Sequence, residues 1–277
     1  ACGVRTSNGS IGMDEDGRPL TDIVELAQGQ GLAVGVVTTD ALSGATPGAF
    51  TAHAASRRSS GIIASQQISK RITVLLGGGG EDYDLDAAKK AGYFVMTRKK
   101  DLLSPAAQKK NLWLGIFSSA EIPYVDERTP DTPSLKDMTR AALGKLARND
   151  RGFFLMVEGG RIDHAAHANK TPRVFDEVLD FDAAVGAVLE FVKAHPDTTL
   201  FLTADHETGG VGLTKKEAGE YYPTAEDFEK GRGLHWLSKD HTAAPVLLVG
   251  VGADAASVNG WHDNTDLFQL VKDAFGL

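Results

Sequence analysis

Short apolar runs alternate with longer stretches of mixed polarity along this chain. The runs are LAVGVVTT (32–39), ITVLLGG (72–78), YFVMT (93–97), LGIFS (114–118), FFLMVEGG (153–160), TLFLTAD (199–205) and PVLLVGVG (245–252). They are rich in Val, Ile, Leu and Phe and mostly unalternating, the pattern of strands covered on both faces. Between them lie helical patterns. Residues 20–31 end in Gly, a C-terminal stop. Residues 46–58 open with Thr-Pro, a favourable helix start. Residues 133–148, 171–195 and 264–276 carry apolar positions at i, i+3 and i+4. Strands alternating with helices predict an α/β fold: one mainly parallel central sheet with helices on both faces, in three layers. The whole of 1–277 reads as a single domain, with the polar stretch 213–240 as a surface insertion. GGGGEDY (77–83) lacks the Lys-Ser/Thr tail of a nucleotide loop and reads as a flexible turn.

Bulk properties narrow the function classes. The chain has 277 residues and a net charge of -8, with pI near 5.5. That balance argues against nucleic acid as the main partner, because phosphate contact needs a basic face. No apolar run reaches the ~18 residues of a membrane-spanning helix. The single cysteine, Cys2, permits no disulfide within the chain and says nothing of compartment.

Ionisable residues gather where strands end. Ligands of open α/β sheets bind outside the carboxyl ends of the strands. Strand 153–157 runs into Glu158, and strand 199–204 runs into Asp205-His206. His241 precedes strand 245–252. Asp163 and His167 stand four apart, so one helical turn directs both towards a single ion. Oxygen and imidazole ligands without thiolate suit zinc, manganese or magnesium. Any one of these residues alone is more simply a surface or satisfied polar group. Two ionisable groups directly behind an apolar strand, however, are costly to bury without a partner. Their recurrence at several strand ends points to a metal centre.

Four motifs, VEGGRIDHAAHANK, TADHETGG, ATPGAFTAHAASR and DHTAAPVLLVGVG, together resemble the alkaline phosphatase family in order and spacing. The resemblance implies an alkaline-phosphatase-like α/β/α fold and a centre of two zinc ions with a nearby magnesium. Carried over by motif, Asp163, His167 and His241 resemble ligands of the first zinc, and Asp205 and His206 those of the second. Glu158 and Thr46 resemble magnesium ligands. Arg57 resembles the arginine that grips substrate phosphate, a role that suits its planar, bidentate guanidinium. His164 stands where some members have lysine and others histidine, near the magnesium or the phosphate. Gly44 replaces an aspartate or histidine found beside the magnesium site in other members. His53 is expected to be packing or supporting, and His195, His235 and His262 match no ligand position.

The implied activity is hydrolysis of small phosphate monoesters through a phosphoserine intermediate. It implies a periplasmic or extracellular location, and homodimers are common in the family; no nucleic acid and no membrane span are expected, from the charge and the short apolar runs. The family's nucleophile lies in an Asp-Ser-Ala motif just ahead of a stretch like ACGVRTSNGSIG; Ser7 and Ser10 fall past it. The expectation is therefore a fragment lacking the first strand and the nucleophile, with little activity of its own. Two rival readings are a phosphodiesterase or sulfatase-type hydrolase with the same metal core, and a non-catalytic metal-binding protein.

Overall fold

Five strands of the chain pair side by side, all parallel: β1 (Ala33–Ala41), β2 (Val74–Gly78), β3 (Tyr93–Met96), β4 (Leu112–Ile116) and β5 (Phe153–Glu158), in the order β3-β4-β2-β1-β5. The computed structural model describes residues 1–213 and 234–277. Most of the polar stretch expected as an insertion therefore lies outside the described residues.

The strands are apolar on both sides because both sides are covered. On β1, Val34 and Val36 join a core with Val24 and Ala27 of α1 (Ile23–Gly29), Ala64 of α3 (Ser60–Ser69) and Ala88 of α4 (Leu85–Lys90). Ala33 and Val37 point the other way, into a core built on α6 (Leu135–Leu146), with Ala107 of α5 (Pro105–Gln108) and Ala184 of α8 (Thr171–Ala194). The period-two alternation of a strand divides one apolar run between two layers. Helix ends carry their expected caps. Asp22 accepts from Glu25 N at 2.7 Å while Glu25 accepts from Asp22 N at 3.2 Å, and Ser134 with Asp137 repeats the motif.

Two local expectations differ, and one helix was not expected. The helix expected over 46–58 is α2 (Ala45–Thr51) and stops early. Ala52 is extended because Ala54 exchanges backbone hydrogen bonds with Ile11 at 2.8 and 2.9 Å. The helix α3 carries little periodic signal, since its buried face includes Gln67, which donates to Leu42 O and to Thr51 Oγ1, both at 2.8 Å. The glycine run at 77–80 is a packed turn rather than a loose one. Gly79 N donates to Ala120 O at 2.6 Å, and a Cβ at Gly78 would lie 2.1 Å from that same oxygen.

Beyond α7 (Arg161–His167) and α8, β6 (Thr199–Thr203) pairs antiparallel with β11 (Leu248–Gly252). Among the described residues, this pair makes no ladder with the five-stranded sheet. Short two-residue strands lie between: β7 (Glu207–Thr208), β8 (Gly212–Leu213), β9 (Leu234–His235) and β10 (His241–Thr242). The last helix, α9, spans Asp266–Ala274. No described helix is long and apolar enough to cross a membrane.

Candidate metal centre

The site is assembled by strand ends. β5 delivers Glu158, and Gly159-Gly160 turn the chain directly into α7, whose single face carries Asp163 and His167. β6 runs out into Asp205-His206. β7 then pairs antiparallel with β10, placing His241 opposite Thr208. These residues line a cleft of about 2900 Å³ between β5 and β6, whose walls include Phe154, Met156, Leu200 and Leu202.

Asp163, His206 and His241 each present a ligand atom within 4.8 Å of the other two. His167 joins them: its Nε2 is 3.3 Å from Asp163 Oδ2 and 3.0 Å from His241 Nε2. The His206 and His241 rings stack, with centroids 3.5 Å apart and 18° between planes. The expected division placed His206 with Asp205, apart from Asp163, His167 and His241. The structure brings His206 to Asp163 and His241 while keeping its Nε2 3.2 Å from Asp205 Oδ2.

Hydrogen bonds behind the cluster aim its lone pairs. His167 Nδ1 is paired with Lys239 O, a carbonyl that only accepts, so Nδ1 carries the proton and Nε2 is left facing His241. The hydroxyl of Thr208 donates to Asp163 Oδ1 at 2.6 Å. It therefore accepts from His206 Nδ1 at 3.1 Å, while His206 Nε2 is turned to Asp205 Oδ2. Supporting bonds of this kind orient metal-binding imidazoles. Burial pushes the Asp205 carboxyl up, but the hydrogen bond and charge of His206 outweigh it and hold Asp205 below the usual range. The same hydrogen bond raises His206 above the ordinary histidine value.

Glu158 forms the second focus. Thr38, its parallel-register neighbour on β1, donates to Oε2 at 2.6 Å, and Thr46 in the first turn of α2 is also hydrogen-bonded to it. Burial pushes the Glu158 carboxyl up to about 7, against the Thr38 and Thr46 hydrogen bonds and reinforced by the charges of Asp40 and Asp205. His164 lies on the α7 side of this region. Its Nδ1 accepts from Arg161 Nη1 at 2.9 Å, and its Nε2 is 3.9 Å from Asp40 Oδ1. Asp40, Glu121 and His164 offer ligand atoms within 4.8 Å of one another. Arg57 is exposed and borders the same cleft.

His53 stands apart from both groups, with Nδ1 at 2.8 Å from Gly12 O and Nε2 at 2.9 Å from Glu25. His195 packs on Phe191, and His262 lies 3.8 Å from Asp266. Sequence reasoning missed Thr38, Asp40, Glu121 and Thr208. A threonine or aspartate at a strand end is ordinary in sequence, and strand register alone shows what these face.

The donor set fits metal ions. Two imidazole nitrogens and a carboxylate converge on one space with the His167 imidazole adjoining, the N/O chemistry zinc prefers, while Glu158 and Thr46 offer the hard oxygens that suit magnesium.

The sequence model of the alkaline phosphatase family matches residues 1–230. Alkaline phosphatase 3 of Bacillus subtilis is 38% identical over 225 residues, covering 77% of this chain; the chain spans about half of that relative, 48% of its length. Alkaline phosphatase of Escherichia fergusonii is 31% identical over 348 aligned positions, covering 99% of this chain and 71% of its own length. The solved structure of a variant of TAB5 alkaline phosphatase, described as having magnesium bound in its M3 site, matches with a TM-score of 0.86 and 26% identity. That match covers 100% of this chain and 81% of the other.

Proposed function

The chain belongs to the alkaline phosphatase family, and on that footing we propose that its protein hydrolyses phosphate monoesters at a centre of two zinc ions and one magnesium. The observation that carries this reading is the convergence of Asp163, His206 and His241, with His167 alongside, at the mouth of one cleft. In the proposed assignment Asp163, His167 and His241 hold one zinc, Asp205 and His206 the other, and Glu158 and Thr46 the magnesium. When bound, such ions supply positive charge that eases deprotonation of an attacking oxygen and offsets charge on a leaving one.

The chain's own residues do the rest. Arg57 borders the cleft and offers a planar fork to two phosphate oxygens. It would hold the phosphoryl group in line and offset charge on its equatorial oxygens. Lys239 O and Thr208 fix the proton positions on His167 and His206. His164, paired with Arg161 and near Asp40, adds a donor at the edge of the phosphate or magnesium region. A phosphoserine intermediate, a homodimer and a periplasmic or extracellular place of action follow from the family resemblance. Broad specificity is expected, because each group assigned here addresses phosphate or metal.

The test is a comparison of rates. A protein that carries this chain together with the family's nucleophile motif should hydrolyse an aryl phosphate monoester faster than the matching diester or sulfate ester. A chelator should abolish that activity, and zinc with magnesium should restore it. A faster diester or sulfate rate would overturn the reading, as would monoester turnover that survives exhaustive chelation.

A further inference from the structure

Gly44 and Gly160 have backbone conformations that any residue adopts, with φ -60° and -62° respectively. Gly44 is also the N-cap of α2, a position that ordinarily favours Ser, Thr, Asp or Asn, and it makes no side-chain cap bond. Neither glycine is needed for torsional freedom. Both leave room for Asp40, and Gly44 also leaves room for the Ala41 carbonyl, 2.8 Å from where its Cβ would lie. A Cβ at residue 44 would lie 2.5 Å from Asp40 Oδ2, and a Cβ at residue 160 would lie 2.8 Å from Asp40 Cβ and 3.4 Å from Glu158 Cδ. The Asp40 side chain is thus wedged between the start of α2 and the β5–α7 corner. It borders the same small space as Glu158 and is only 15% exposed.

The local bonds hold Asp40 in this place. Asp40 N donates to Thr38 Oγ1 at 2.8 Å, and that hydroxyl donates on to Glu158. Asp40 Oδ1 accepts from Ala41 N at 2.7 Å. Oδ2, the oxygen that a side chain at residue 44 would strike, receives no hydrogen bond among the described residues. Two nearby carboxylates with little solvent are stable as charges only with a cation between them or a proton on one.

We propose that Asp40 Oδ2 is a ligand of the cation held by Glu158 and Thr46, filling the place that a side chain at residue 44 would otherwise take. The inference rests on the assignment of Glu158 and Thr46 as cation ligands and adds to it a residue from β1. Gly44 is then the accommodating partner: the carboxylate comes from four positions earlier in the chain, and residue 44 must stay small to admit it.

The test measures magnesium affinity by titration calorimetry on protein stripped of metal and reloaded with zinc, with zinc content read by elemental mass spectrometry. The isosteric Asp40→Asn should weaken magnesium binding at least tenfold and leave zinc content unchanged. Gly44→Ala should weaken it as well, by crowding Asp40 and the Ala41 carbonyl. If Asp40→Asn folds poorly, Asp40→Ala keeps the test falsifiable: magnesium affinity within twofold of the parent in that variant overturns the proposal. Affinity within twofold of the parent in Asp40→Asn, alongside its loss in Glu158→Gln, overturns the role of Asp40 alone. Full magnesium affinity in Glu158→Gln overturns the underlying assignment.

Discussion

His167 and His241 face each other through their Nε2 atoms at 3.0 Å, with His167 Nδ1 committed to the carbonyl of Lys239. The His167 Nε2 lone pair and His241 Nε2, with Asp163 beside both, form a set of groups that a cation would hold together. Removing one of them should release the metal. His241→Ala is expected to lose at least one zinc per chain, measured by elemental mass spectrometry after dialysis. Retention of the full zinc content would refute the assignment.

Zinc should also stabilise the fold, because the cluster joins α7 to β7 and β10, which are far apart in sequence. At a free zinc concentration a hundred times the dissociation constant, the gain is about 2.7 kcal/mol. For a chain of this size that corresponds to a rise in Tm of several degrees. Differential scanning calorimetry with zinc and with chelator measures it, and identical transitions would contradict the prediction.

Thr208 touches no proposed metal directly, yet its hydroxyl bonds both Asp163 and His206. Thr208→Val keeps the shape and removes both bonds. Loss of such a supporting bond costs about 10- to 100-fold in metal affinity. Competition with a chromogenic zinc chelator reads this directly, and an unchanged affinity would assign Thr208 a packing role only.

Glu158 gives a pH dependence of definite sign. Its folded-state value is raised from 4.5 to about 7. Between those limits the metal-free folded protein holds a proton that the unfolded chain has released, so stability falls as pH rises through this window. The cost above pH 7 is on the order of 3 kcal/mol at most, at about 1.36 kcal/mol per pKa unit. Metal-free Glu158→Gln should therefore have the higher Tm at pH 8 and lose that advantage near pH 4.5. Thermal melts of both proteins at the two pH values test this, and a lower Tm for the variant at pH 8 would contradict it.

Away from the centre, Arg128 Nη1 lies 2.7 Å from Asp180 Oδ2 and its Nη2 lies 3.2 Å from Glu177 Oε2. All three side chains are no more than 10% exposed. Arg128→Ala strands two buried carboxylates and should cost about 3–5 kcal/mol. Denaturant unfolding measures the loss, and a change below about 1 kcal/mol would show that the pair relaxes into water.

Much of this site was legible in sequence because ionisable residues directly behind apolar strands are uncommon without a purpose. Glu158, Asp205-His206 and the Asp163–His167 spacing stood out for that reason. Asp40 did not, since an aspartate near the end of a strand is unremarkable until residue 44 is seen to leave it room. The helix α3 was hidden because the buried Gln67 breaks the apolar periodicity that marks a helix face.

The sequence by itself determined the alternation of buried strands and amphipathic helices, and the residue types at the strand ends. Burial and short-range periodicity are local properties of a chain, and they are written in it directly. Only the tertiary structure decided which strand ends meet. The parallel register sets Thr38 beside Glu158, and the pairing of β7 with β10 sets His241 beside His206. Those contacts join residues 120 and 35 positions apart, and over such separations proximity is fixed by packing and hydrogen-bond pairing rather than by any spacing in the sequence.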